Sequence, residues 1–168
     1  FFSSKGGVLC NAKIDWETGE IKEFNSTVIT DSKGNEYAMS TCTPSVYNGR
    51  IYIGVSGKSQ FGAFTGHAIN VYDLNSDGSM TLAYSYDIMG YPQTSAMVTT
   101  AYAAEDGYVY IYLPYNYTPG GVSVLKDKPG QTEPITTTDA GYSEVFTPVS
   151  PLAQYCICSV IADEYGTI

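Results

Sequence analysis

A chain of 168 residues is long enough for one domain with a real core, and no apolar run approaches the roughly 20 residues that a membrane helix needs. Eight Lys and Arg against 17 Asp and Glu leave a net charge of −9, which repels phosphate backbones, so nucleic acid is not expected as a partner. Sixteen Tyr with 17 Gly and 8 Pro favour strands and turns, and no 3.6-residue period persists long enough to place a helix.

The chain opens on Phe1-Phe2, with neither a methionine nor a charged-then-apolar leader. It therefore reads as an excised or processed piece whose export signal would lie upstream. The segment from Ala12 to Ile21 is a strand, a tight turn through Asp15 and Gly19, and a second strand. Thr43-Pro44-Ser45-Val46-Tyr47, then Asn48-Gly49, then Arg50-Ile51-Tyr52-Ile53 is a second hairpin of a different kind. The first kind returns at Asn70–Met80, closing on Asp73 and turning at Gly78. The second kind returns as Val98–Tyr102, Asp106-Gly107 and Tyr108–Tyr112. Val124–Gln131 repeats the first once more, with Asp127 and Gly130, and Thr147-Pro148 begins another copy of the second that runs through Cys156 to Val160.

These recurrences keep step. Asp15, Asp73 and Asp127 are 58 and 54 residues apart, and Gly49 and Gly107 are 58 apart. In each first-kind hairpin the aspartate is placed to bond turn amides and the glycine to take a positive φ. Each unit then holds four strands, a to d, with a longer loop between b and c. Four-stranded antiparallel units repeated at this spacing predict an all-β fold, a partial β-propeller made of four-stranded antiparallel blades. The expected units are a partial blade (1–24, strands b to d), two full blades (39–88 and 96–138) and a partial one (145–168, strands a and b). Three blade-equivalents are fewer than the four to eight that close a ring. The expected partners are accordingly the remaining blades of a longer chain or, as an alternative, a second copy.

Ala12, Asp15, Thr18, Gly19 and Glu20 resemble the Ala-x-x-Asp-x-x-Thr-Gly-Glu turn of quinoprotein-type (pyrroloquinoline-quinone-like) propeller repeats. Thr43-Pro44 followed by Asn48-Gly49-Arg50-Ile51-Tyr52-Ile53-Gly54 is similar to that family's a–b hairpin. The position of the family's repeat tryptophan is held by Glu23-Phe24, and the other two Asp-closed turns lack Thr-Gly. The resemblance thus implies the fold, in the family's non-enzymatic, surface-protein branch, rather than quinone chemistry.

Strands alternate direction within a blade, so b–c loops and d–a connections emerge on one rim. Phe61 and Phe64 (Gly54–Gly66), Tyr115 and Tyr117 (Pro114–Gly121) and Tyr91 (Met89–Pro92) are predicted to share it, where they could stack on sugars or anchor a protein; packing under their own loops is the alternative. Asp73, Asn75 and Asp77-Gly78 match the opening of a calcium loop, but Thr81 and Tyr84 stand where later ligands belong, so a plain turn is preferred and calcium is the alternative. No other cofactor is expected. The single His67 has no nucleophile motif beside it and reads as structural or solvent-facing. Cys10, Cys42, Cys156 and Cys158 sit among apolar neighbours and read as buried thiols, ahead of a long-range disulfide or zinc. Glu17, Glu20 and Glu23 read as a solvated face rather than glycosidase carboxylates. Asn25-Ser26-Thr27 and Asn116-Tyr117-Thr118 fit the glycosylation pattern. The functional expectation is a non-catalytic propeller segment of an exported or cell-surface protein, acting as an interaction or ligand-binding module for carbohydrate or protein. The alternative is a piece of a propeller enzyme, a quinone-dependent dehydrogenase or a glycosidase, with its catalytic residues on other blades.

Overall fold

The computed structural model describes residues 1–36, 38–60, 63–101, 103–116, 121–136, 158–161 and 163, with backbone alone for 58–60 and 63–65. Its strands form three antiparallel sheets. The first holds β1 (Phe2–Ser3), β2 (Val8–Ile14) and β3 (Ile21–Val28). The second holds β4 (Ser45–Tyr47), β5 (Arg50–Gln60), β6 (Ala63–Leu74) and β7 (Met80–Asp87), in sequence order across the sheet. The third holds β8 (Met97–Thr99), β9 (Val109–Tyr115), β10 (Gly121–Asp127) and β11 (Ile135–Thr136), with one helical turn, α1 (Ala103–Asp106), between β8 and β9. The all-β, antiparallel character expected from the sequence is present. The strands expected over 145–168 lie outside the described residues, save for 158–161 and 163.

Local chemistry explains most of the hairpins. Asn48 and Gly49 both take positive φ (47° and 75°), the pairing a two-residue hairpin needs, and they bring Tyr47 opposite Arg50. At the β2–β3 turn the Asp15 carboxylate accepts the amides of Glu17 and Thr18 at 2.9 and 3.1 Å, as expected, and Gly19 turns at φ 75°.

Two expectations change. Gly54–Gly66 is not a long loop: β5 runs on to Gln60 and β6 begins at Ala63, with register shifts near Gly57 that keep the backbone paired. Nor does a direct Asp-Gly turn join β8 to β9. Ala103-Ala104-Glu105-Asp106 carries no β-branched residue and winds into a helical turn, and Gly107, at φ 78°, closes it by donating to the Ala103 carbonyl at 3.1 Å.

Packing places the second sheet between the other two. Ile51, Ile53 and Val55 of β5, with Ala68 and Tyr72 of β6, are buried against Leu9, Ile29, Ala38 and Cys42 on the side of the first sheet. The alternate residues, Tyr52, Ile69, Val71 and Tyr84, are buried against Val109, Ile111, Leu113 and Leu125 of the third. The period-2 alternation of a strand therefore gives the middle sheet two buried faces. Each such aliphatic side chain contributes about 1.5–3 kcal/mol by leaving water.

The strict equivalence of the three aspartates fails in space. Asp73 lies opposite Arg50 on the face turned to the third sheet, whereas Asp127 lies opposite Val109 on the face turned back to the second.

Candidate functional site

The densest polar constellation lies between the second and third sheets. Arg50, 1% exposed, starts β5, and its Nε and one terminal nitrogen grip both oxygens of the fully buried Asp127 at 2.9 and 2.8 Å. Its other terminal nitrogen reaches Asp73 at 2.6 Å, and a further bond goes to the carbonyl of Gln131 at 2.9 Å. Tyr52 and Tyr84 each donate to Asp127 at 2.8 Å, and the Arg50 guanidinium lies 5.6 Å from the Tyr84 ring centre. Burial alone would lower the Arg50 pKa, but the bonds and charges of Asp127 and Asp73 outweigh it and hold the cation firmly charged. Burial first and then the Asp127 charge push both phenols far above their usual range. The five side chains form a hydrogen-bonded clamp whose centre, Arg50 and Asp127, is buried, while Asp73 at its margin is 43% exposed.

This clamp revises the role expected of two aspartates. Asp127 and Asp73 hold Arg50 rather than their own turn amides, so only Asp15 acts as expected. Sequence reasoning passed over Arg50, although a signal was present: an arginine heading the apolar strand Arg50-Ile51-Tyr52-Ile53 must find a partner if that strand is central.

Each of the calcium candidates is engaged by other groups. Asp73 faces Arg50, while Asn75 bonds Ser79 Oγ and Thr81 Oγ1 at 2.9 and 3.0 Å. Asp77 accepts the amide and hydroxyl of Ser79 at 2.9 and 2.6 Å. Among the described residues no three His, Cys, Asp or Glu side chains gather as a metal would need.

Of the expected rim aromatics, Phe61 and Tyr117 lie outside the described residues, and Phe64 is described only by its backbone in β6. Tyr115 is 3% exposed and belongs to the core beside Leu113, because its odd-numbered face of β9 turns to the second sheet. Tyr91 is half-buried in the connection between β7 and β8. It forms a two-way backbone bridge with Asn116 (2.9 and 2.8 Å), so a d–a connection and a b–c loop do meet there. Its hydroxyl lies 3.2 Å from Thr41 Oγ1 and its ring 6.1 Å from His67. Gly90 lies hard against the Asn116 carbonyl, leaving no room for a side chain.

His67 is half-buried, which lowers its pKa, and its Nδ1 pairs with Ser56 Oγ at 2.8 Å. Ser56 is fully buried, and no carboxylate bonds His67 among the described residues, so this pair lacks both the access and the orienting partner of a nucleophilic site. Cys10 and Cys42 are buried thiols, as expected, and burial pushes Cys42 up to about 11. Cys158, by contrast, is exposed.

Two surface features remain. A cavity of about 320 Å³ lies on the rim side, between Phe2, Ser3 and Lys5 at one wall and Ser40, Thr41, Cys42 and Thr43 at the other. The outward face of the first sheet is largely apolar: Phe2, Val8, Cys10, Ala12, Ile14, Ile21, Phe24 and Val28 share it by register, together with Ser26. Ile21 is 63% and Phe24 56% exposed, and at the adjoining turn Trp16 is 91% exposed. The opposite face, with Asn11 donating to the Gly78 carbonyl at 2.8 Å, is the one that meets the second sheet.

Fold and site together define an all-β protein of stacked antiparallel sheets with a buried ionic clamp. No family model, no curated protein and no solved structure matches the chain.

Proposed function

We propose that the chain is a non-catalytic segment of a β-propeller, acting as an interaction module of an exported or cell-surface protein. One observation carries this reading: the outward face of the first sheet has the chemistry of an interior. Cys10, Ala12 and Ile14 stand one repeat before Ala68, Asn70 and Tyr72, and on the second sheet that same face is covered by the sheet preceding it. The face of Ile14, Ile21 and Phe24 is accordingly an inter-sheet surface, and its occupant is a further sheet of the same build. The repeat hairpins that resemble quinoprotein propellers support the same architecture. The Thr-, Ser- and Tyr-rich, lysine-poor composition supports a place outside the cell.

In a solution of this chain alone, the only further sheet available is that of another copy. Sedimentation should therefore reveal concentration-dependent association, and Ile21→Glu with Phe24→Glu should abolish it while leaving the melting temperature within a few degrees. A wild-type chain that stays monomeric at every concentration would overturn the proposal.

A further inference from the structure

Three pairs in the chain set an Asn or Asp directly before glycine: Asn48-Gly49, Asp77-Gly78 and Asp106-Gly107. Such pairs are open to self-attack, because a glycine has no Cβ to hinder its amide nitrogen as it closes on the preceding side-chain carbonyl. In two of them both reacting groups are tied down. The Gly78 amide donates to the Asn75 carbonyl at 2.9 Å, while Asp77 accepts the amide and hydroxyl of Ser79. The Gly107 amide donates to the Ala103 carbonyl at 3.1 Å, while Asp106 accepts the Tyr108 amide at 2.9 Å.

At Asn48-Gly49 neither tie exists. Both residues are exposed, and among the described residues the Gly49 amide and the Asn48 side chain make no hydrogen bond. What restrains this pair is the turn, with its φ values of 47° and 75°. Ring closure needs rotation within Asn48, which the closed turn hinders and its opening frees. Opening costs little here, because β4 spans three residues at a sheet edge and its Val46 and Tyr47 are exposed.

We propose that Asn48 is a site of spontaneous covalent modification, in which the Gly49 nitrogen attacks the Asn48 Cγ. A C–N bond forms, the side-chain nitrogen leaves as ammonia, and a cyclic succinimide remains. Water then opens the ring. Cleavage at the Cγ carbonyl gives aspartate, whereas cleavage at the Asn48 main-chain carbonyl gives isoaspartate, whose main chain runs through Cβ and Cγ. Either product adds one negative charge to a chain already at −9. The isoaspartyl chain is also one atom longer within the turn, so it no longer holds Tyr47 opposite Arg50 in a two-residue hairpin. β4 therefore loosens. Arg50 stays in place, because β6 pairs with it, the Leu74 amide donates to the Gly49 carbonyl at 2.8 Å, and Asp73 and Asp127 hold its guanidinium. The change is confined to the β4 edge, where Ser45 donates to the Ala96 carbonyl just before β8.

The test warms the full chain at mildly alkaline pH and follows the tryptic peptide 34–50 by mass spectrometry. The mass gain that replaces an amide NH2 by OH is expected at Asn48 before Asn35 in the same peptide, with both isoaspartate and aspartate formed. Amide exchange in the converted chain should quicken in β4 and stay slow in β5 and β6. Asn48→Gly, which still suits the turn, should lose the mass gain and keep β4 exchange slow after the same treatment. Retention of the Asn48 amide, aspartate without isoaspartate, or unchanged β4 exchange in the isoaspartyl chain would each overturn the proposal.

Discussion

Arg50 shows how a single charge can hold two sheets together. The guanidinium and Asp127 are both out of water, so the attraction between them is balanced by the cost of burying them. Removing one member leaves the other uncompensated. Arg50→Met is expected to destabilise the chain by about 3–5 kcal/mol in chemical denaturation. Adding Asp127→Leu to that variant should recover part of the loss, because no buried charge then remains. The phenols add a pH dependence. Tyr52 and Tyr84 have folded-state pKa values above the unfolded value of about 10, so the folded chain keeps protons that the unfolded chain gives up. Their contribution is complete below pH ~10 and falls away as the pH rises past it. Urea midpoints followed from pH 8 to 11 should decline above about 10, and Tyr52→Phe with Tyr84→Phe should flatten that decline from a lower starting stability.

At the scale of elements, turn chemistry was the most legible part of the sequence. Asn48-Gly49 specified its hairpin because few other residue pairs tolerate two successive positive φ values. Gly49→Ala is expected to cost about 1–2 kcal/mol for that reason, since its Cβ meets no atom and the strain is purely conformational. What the sequence hid were the details that tertiary pairing settles. The β5–β6 ladder extends through Ser56 to Gln60 because backbone groups there find partners, a gain that composition does not record. The helical turn at Ala103–Asp106 arises from four residues, too few to leave a periodic signal. The aspartates looked interchangeable because spacing along the chain says nothing about which face a side chain leaves from. Tyr115 was misplaced because strand β9 runs further than its proline suggested, carrying the tyrosine into the core.

For the whole molecule, the stack of three sheets makes neighbouring interfaces the units of stability. The first interface is apolar, with Asn11 and Asn70 bonding across it, and the second combines an apolar core with the Arg50 clamp. The apolar outward surface was visible in the sequence as Ile14, Ile21, Phe24 and Val28, but alternation alone could not say which side of the sheet they took.

The double burial of the middle sheet has a consequence for how the protein comes apart. Opening either outer sheet leaves the other interface intact, so fraying can proceed from an end as a local event of modest cost. Separation of β5 from β6 strips both interfaces at once, and that step coincides with loss of the entire structure. Damage that breaks the β5–β6 pairing is therefore global, whereas loss of packing at Leu9 or Leu125 can remain confined to one side.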